Sequence, residues 1–321
     1  MKTRNLTAAA AAVCALTALL LCPDAALKSA KYGLTLCADV IVPSLLPFFV
    51  ATALLNELGL PRYLGRRLTP IMSRLFGVSG AGACAFILGI TGGYPLGAAA
   101  IADMRSRGDI GREEAENLLG FCNNSGPAFI IGAAGVGVFS SSGAGVLLYF
   151  SHAAAALMTG ILLSRRTFVS SAAGPVYAGS VGLSSALPDA VKRSVVSVIN
   201  VCGFVVTFTV LCGLLDAFGT FSRLVGAVSA ASGLELHFVR AFFTGLLELG
   251  SGIGVMRGLA VTPLNLALAS FILGWGGVSV HFQTLAAISG TDIKGARHLA
   301  GRLLSGCISA AITFLLAGAI Y

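Results

Sequence analysis

The fold class this sequence predicts is all-α: a polytopic membrane protein with two related halves and interrupted or re-entrant helices. Three observations carry that prediction. Of 321 residues, 56% are hydrophobic and 11% charged, with a mean hydropathy of +0.90, a balance that a soluble domain of this size does not carry. The apolar residues gather in runs of about 20 or more, the length of one helical crossing. Several runs contain Gly, Pro, Asn or Glu where a plain span has none, and such interruptions occur in both halves.

Taken in order, the first apolar run is Leu6 to Cys22, behind Lys2 and Arg4. It reads either as a retained helix with its N-terminus inside or as a cleaved signal peptide, and residues 1–31 are set apart as an N-terminal transmembrane helix. Tyr32 to Leu60 follows, with Asp39 and Glu57 near its ends and Pro43 and Pro47 within it. Ser79 to Ala102 is the third run. Asn117 to Ser164 holds no charged residue, room for two passes or for a re-entrant hairpin and one pass. After a Ser-, Gly- and Ala-rich cytoplasmic linker over 164–193 come Ser194 to Leu215, Ala241 to Met256 with Glu248 inside, the charge-free Gly258 to Thr291, and Leu303 to Tyr321. This counts to eight or nine passes.

The net charge of +8 does not require nucleic acid as a partner. Arg62, Arg66, Arg67 and Arg74 share one short loop, and Arg165, Arg166, Lys192 and Arg193 bound the linker, so the basic residues read as cytoplasmic flanks. The partner the composition demands is the lipid bilayer; oligomeric state is not legible. The eight cysteines contain no C-x-x-C pair and read as reduced, buried side chains. No enzyme signature, metal-ligand spacing or cofactor motif is present in the sequence.

Phe86-Ile87-Leu88-Gly89 recurs 185 positions later as Phe271-Ile272-Leu273-Gly274. Glycine pairs follow both (Gly92-Gly93, Gly276-Gly277), then Asp109-Ile110 against Asp292-Ile293. Ala115, Leu118, Leu119 and Cys122 match Ala300, Leu303, Leu304 and Cys307. These matches read as a duplication, with residues 32–163 as the first repeat and 194–321 as the second; the alternative is chance likeness between Leu- and Gly-rich spans. Repeated halves with broken segments mark secondary transporters, whose discontinuous helices hold substrate near the midplane. Inverted halves follow if 117–139 and 241–257 are re-entrant; parallel halves follow if both cross.

Four constellations could carry chemistry. Thr91 to Gly97 sets Tyr94 and Pro95 between glycines, breaking a helix where free backbone groups need protein or a water-filled cavity; a packing kink is the alternative. Phe121-Cys122-Asn123-Asn124-Ser125-Gly126-Pro127 places two amides and a hydroxyl in an apolar run, costly unless hydrogen-bonded; it is a substrate site or a polar surface loop. Glu248 is an ionisable group at membrane depth, a functional expectation by default unless it faces a vestibule. Gly274 to Gln283 holds the only Trp, with Ser279, His281 and Gln283 able to bind a polar ligand.

At these residues the chain resembles the YlbJ/SpoVV-type sporulation integral membrane proteins, which carry the nucleoside-recognition Gate domain. The resemblance rests on Gly93 to Gly97, on Arg107 to Leu119, on Phe121 to Pro127 and on Gly276 to Gln283, and it spans nearly the whole chain. It implies a fold similar to concentrative nucleoside transporters. It also implies a sporulation role: movement of dipicolinic acid across the outer forespore membrane for core dehydration and cortex formation. A nucleoside transporter, or a membrane scaffold for cortex enzymes, is the competing expectation. A planar pyridine dianion would be held by amides and helix dipoles without a buried Arg, with Asn123, Asn124, Ser125, Ser279 and Gln283 in contact. Tyr94, Trp275 or Phe282 would stack on the ring, and Glu248 would tune or couple the site.

Overall fold

The computed structural model describes residues 3–58, 60–164 and 182–321; residues 165–181, most of the expected linker, lie outside them. Among the described residues the regular structure is helical. It comprises α1 (Thr3–Leu21), α2 (Pro23–Leu36), a π-helical stretch Cys37–Ile41, α3 (Val42–Glu57), α4 (Leu60–Phe76), α5 (Gly80–Gly92) and α6 (Leu96–Ser106). Then come α7 (Arg112–Leu119), a second π-helical stretch Ala128–Val138, α8 (Ser142–Leu163), α9 (Leu183–Ala217), α10 (Thr220–Ser232) and α11 (Leu236–Leu247). The chain closes with α12 (Leu249–Val255), α13 (Pro263–Trp275), α14 (Gly277–Ala287) and α15 (Ala296–Ile320).

Among the described residues five helices are long and apolar enough to cross a membrane: Pro23–Leu55, Ser142–Leu163, Leu183–Ala217, Pro263–Ala287 and Ala296–Ile320. The pair Arg67–Phe76 and Gly80–Gly92, bent by 87°, makes a sixth if it is one span. The eight or nine passes expected from run lengths shrink because Ala9–Leu21, Ala128–Val138 and Leu236–Leu247 are short apolar helices. An apolar run long enough for a span does not reveal where its helix stops. Pro23 sits in the first turn of α2, where its missing N–H costs nothing. The expected boundary between residues 31 and 32 therefore falls inside α2.

The packing is inside-out, as lipid dictates. Along α15, His298, Arg302, Ser305, Ser309 and Thr313 follow one another at three or four residues, so they share one helix face, and all five are buried. Leu303, Phe314 and Leu315 on the same helix are exposed. That stripe meets α13, where Ser270 and Ser309 hydroxyls lie 2.6 Å apart and Thr313 Oγ1 donates to Ser270 Oγ at 2.8 Å. Glycines let the helices close up. A Cβ on Gly274 would stand 2.5 Å from Gly306 Cα, and one on Gly301 would stand 1.9 Å from the Gly120 carbonyl oxygen.

The element order recurs. A helix with an apolar and a polar face (α4, then α10) precedes two helices meeting at a break (α5 and α6, then α11 and α12). A second broken pair follows, α7 with the stretch Ala128–Val138 in the first set and α13 with α14 in the second, and then a long apolar helix (α8, then α15). The first set begins at 60, 80, 112 and 142, the second at 220, 236, 263 and 296. This order sets α5 beside α11, whereas the 185-residue sequence offset sets α5 beside α13. The polar turns at 107–111 and 288–295 lie together at one end. Arg105 grips Asp292 through both carboxylate oxygens at 2.9 Å, and the Lys294 N–H donates to Glu116 at 3.1 Å.

Candidate functional site

Four helix breaks meet inside the bundle, each with a local cause. Gly93, at φ +91°, ends α5, and the Tyr94–Pro95 peptide is cis ahead of α6. Residues 120–127 leave α7 and start again at Pro127. Glu248 adopts an extended conformation between α11 and α12. Gly276 and Gly277, at φ +85° and +79°, part α13 from α14 in a conformation that favours glycine. The breaks touch: a Cβ on Gly93 would lie 2.9 Å from the Gly126 N, one on Gly277 would lie 3.0 Å from the Leu249 N, and one on Gly276 would lie 3.4 Å from the Tyr94 ring.

They surround a cavity of about 450 Å³, its open mouth included, lined by Gly93, Tyr94, Ser125, Gly126, Glu248, Gly250 and Gln283 among apolar residues from α9 and the stretch before α3. A second space of about 840 Å³ adjoins it, sharing Phe129 and Gly250, and is flanked by Tyr32, Asp39 and Arg257. The Glu248 carboxylate caps its own following helix, accepting from the Gly250 N–H at 3.0 Å and from the Ser251 N–H. Gln283 lines the cavity, and its amide has no hydrogen-bond partner among the described residues.

Of the nine residues expected at the site, Tyr94, Ser125, Glu248 and Gln283 line this cavity. Asn123 and Asn124 are fully buried and turned inward. Asn123 accepts from the Ala98 N–H at 3.3 Å and donates to Thr284 Oγ1 at 2.8 Å. Asn124 donates to the Phe121 carbonyl at 2.8 Å and accepts from Arg302 at 2.9 Å. Pro95 precedes the first turn of α6. The Ser279 hydroxyl lies near the Glu248 carboxylate, short of hydrogen-bond geometry. His281 packs edge-on against Trp275 at 4.3 Å and against His298 at 5.1 Å, away from the cavity, with both ring nitrogens unpartnered.

Two stacking candidates are placed elsewhere. The Trp275 indole donates to the Leu246 carbonyl at 3.1 Å, and Phe282 is exposed beside Phe208. Of the three stacking candidates, Tyr94 is the one that faces the cavity, where Phe129 also lines the wall. The expectation of spans without a buried Arg is overturned by Arg302, whose exposure is 0%. Arg302 donates to Asn124 Oδ1, to the Gly120 carbonyl at 3.2 Å and to the Tyr94 hydroxyl at 3.4 Å. Counting the last span from Leu303 hid it, since α15 starts at Ala296. The signal was present: the spacing of His298, Arg302, Ser305, Ser309 and Thr313 is that of one helix face.

Residues 38–184 match the family model Gate, described as nucleoside recognition. The sporulation integral membrane protein YlbJ of Bacillus subtilis (strain 168) is 32% identical over 326 aligned residues, covering 93% of this chain and 79% of that relative. No solved structure matches the chain.

Proposed function

Because the chain belongs to the YlbJ family of sporulation integral membrane proteins and is a multi-pass membrane protein, we propose that it is a transporter moving dipicolinic acid across the outer forespore membrane, for spore core dehydration and cortex formation. The observation that carries this reading is the meeting of four helix breaks on one cavity in a bundle whose outside is apolar. Packing kinks alone call for small residues at crossings. They do not call for a glutamate, a glutamine and a serine facing a shared space.

The cavity lining suits a small planar acid in its chemistry. Tyr94 offers a ring face, Gln283 an amide and Ser125 a hydroxyl, at helix breaks of the kind that hold substrate in transporters. In this reading Asn123 and Asn124 hold the frame, and Glu248 carries a proton while an anion occupies the cavity, because two like charges in one low-dielectric space repel. Likeness to concentrative nucleoside transporters belongs to the same proposal, on the Gate match and the paired broken helices.

Purified protein in proteoliposomes, offered labelled dipicolinate and labelled uridine, tests the reading. Dipicolinate uptake above protein-free vesicles is expected. Uptake of uridine alone would replace the cargo with nucleosides, and uptake of neither would leave a scaffold as the role.

A further inference from the structure

Arg302 is the one guanidinium buried within the described bundle core, and its surroundings are unusual for a charge in a membrane. Its three partners, Asn124 Oδ1, the Gly120 carbonyl and the Tyr94 hydroxyl, are all neutral. No carboxylate lies within ion-pair distance of it among the described residues. Its Nε has no hydrogen-bond partner among the described residues. A guanidinium does not lose its proton to escape burial, and an uncompensated buried charge is costly. Neutral dipoles lower that cost without cancelling the charge.

Where the charge points follows from Tyr94. This ring lines the cavity, while its hydroxyl receives the Arg302 N–H and donates to the Leu273 carbonyl at 3.2 Å and the Gly274 carbonyl at 3.4 Å. The charge therefore sits one side chain behind the cavity wall, in surroundings that screen it poorly. Asn124 holds it there, with its own amide fixed by the Phe121 carbonyl. Two other buried titratable side chains stand beside the cavity, His152, whose Nε2 accepts from the Ser125 N–H at 3.1 Å, and Glu248, which is engaged by the backbone of α12.

We propose that Arg302, held by Asn124 and acting across Tyr94, is the specificity-determining residue that makes this cavity select organic anions over neutral molecules of the same shape. The missing counter-charge is the carboxylate of the transported molecule. A neutral nucleoside or amide gains only a charge–dipole attraction, weaker than that of a carboxylate, so the residue discriminates by charge and leaves shape to Tyr94, Ser125 and Gln283. The inference rests on the transport reading but commits only to the charge of the cargo.

The experiment compares labelled dipicolinate with its uncharged diamide, pyridine-2,6-dicarboxamide, in proteoliposomes bearing the full chain, Arg302→Lys or Arg302→Met. Wild type is expected to prefer the dicarboxylate. Arg302→Lys keeps most of that preference, and Arg302→Met lowers the ratio of the two uptake rates by about tenfold or more. The ratio is the readout because a purely structural defect lowers both rates together. If Arg302→Met does not accumulate, Tyr94→Phe keeps the guanidinium and removes the intervening hydroxyl; it is expected to reduce the ratio by about threefold. A folded Arg302→Met with the wild-type ratio overturns the proposal while leaving the transporter reading intact. Wild type that refuses dipicolinate but moves another organic anion, such as phthalate, in an Arg302-dependent way sinks the cargo and supports the residue. Wild type that prefers the diamide or uridine overturns both.

Discussion

The Asn123–Asn124 pair in the break at Phe121–Pro127 and the cavity wall formed by Glu248 and Gln283 are both polar interruptions of apolar helices, yet they do opposite things. In the first, both amides are engaged within the protein: Asn123 ties α6 to α14, and Asn124 ties its own turn to Arg302 on α15. In the second, Glu248 caps a helix while still facing the cavity, and the Gln283 amide is open. A run of polar residues in a membrane segment thus has two meanings. Where every donor and acceptor closes on the protein, the residues are a joint; where one remains open toward a shared space, they are a site.

The sharpest way to break this comparison is to disturb the joint. The Gly89 Cα backs onto the break so closely that a Cβ would lie 1.7 Å from the Cys122 carbonyl oxygen, a backbone atom that cannot swing aside. Gly89→Ala is expected to cost about 3 kcal/mol, read as a lower thermal midpoint in detergent and a lower level in membranes. Gly226→Ala, inside α10 and with nothing within 4 Å of the added carbon, serves as the control expected not to destabilise. If both variants behave alike, the break is not the close joint described here. Next in size is Asn124→Ala, which removes a hydrogen bond to a buried charge and is expected to destabilise by about 2 kcal/mol. A stable Asn124→Ala with impaired uptake would instead move Asn124 from the joint to the site.

How much of this was legible in the sequence depends on whether a feature had a local cause. The breaks at Gly93-Tyr94-Pro95 and Gly276-Gly277 were legible because glycine at positive φ and proline interrupt a helix wherever they fall. Glu248 stood out because a lone acid in an apolar run has few innocent explanations. The partition of the polar residues was not legible. That Asn124 faces a guanidinium 178 residues away is a matter of how α7 and α15 pack, and His281, two residues from a cavity-lining Gln283, turns to Trp275 and His298 instead. Arg302 was hidden for another reason. Hydropathy windows treat a charged residue as the edge of a span, whereas a helix buries one face of four or five polar residues inside an otherwise lipid-facing cylinder.

The open side predicts a reversal of the joint's behaviour. Gln283→Ala removes an amide that has no partner to leave stranded, so the thermal midpoint is expected to stay near that of wild type, within about 0.5 kcal/mol. Uptake of dipicolinate is expected to fall about fivefold through a weaker apparent affinity. Loss of stability without loss of affinity would show that Gln283 belongs to the joint after all.

The smallest effect is expected where polar groups are fully engaged but exposed, which separates burial from engagement as the cause. Arg105 bonds both oxygens of Asp292 and joins the two polar turns. Held by that guanidinium, the Asp292 carboxyl titrates below the usual carboxylate range. A carboxyl whose folded value is lowered contributes its stability above its ordinary range and loses it as the pH falls through the lowered value. Water and salt screen the pair because both side chains are partly exposed. Asp292→Asn should therefore shift the thermal midpoint slightly at pH 7, with the difference from wild type shrinking towards zero in acid and in molar salt. A difference that grew on acidification, or that matched the Asn124→Ala defect, would mean that engagement alone makes a polar group structural. A difference that vanishes as described leaves burial in the membrane as the condition that turns Asn124 into a joint.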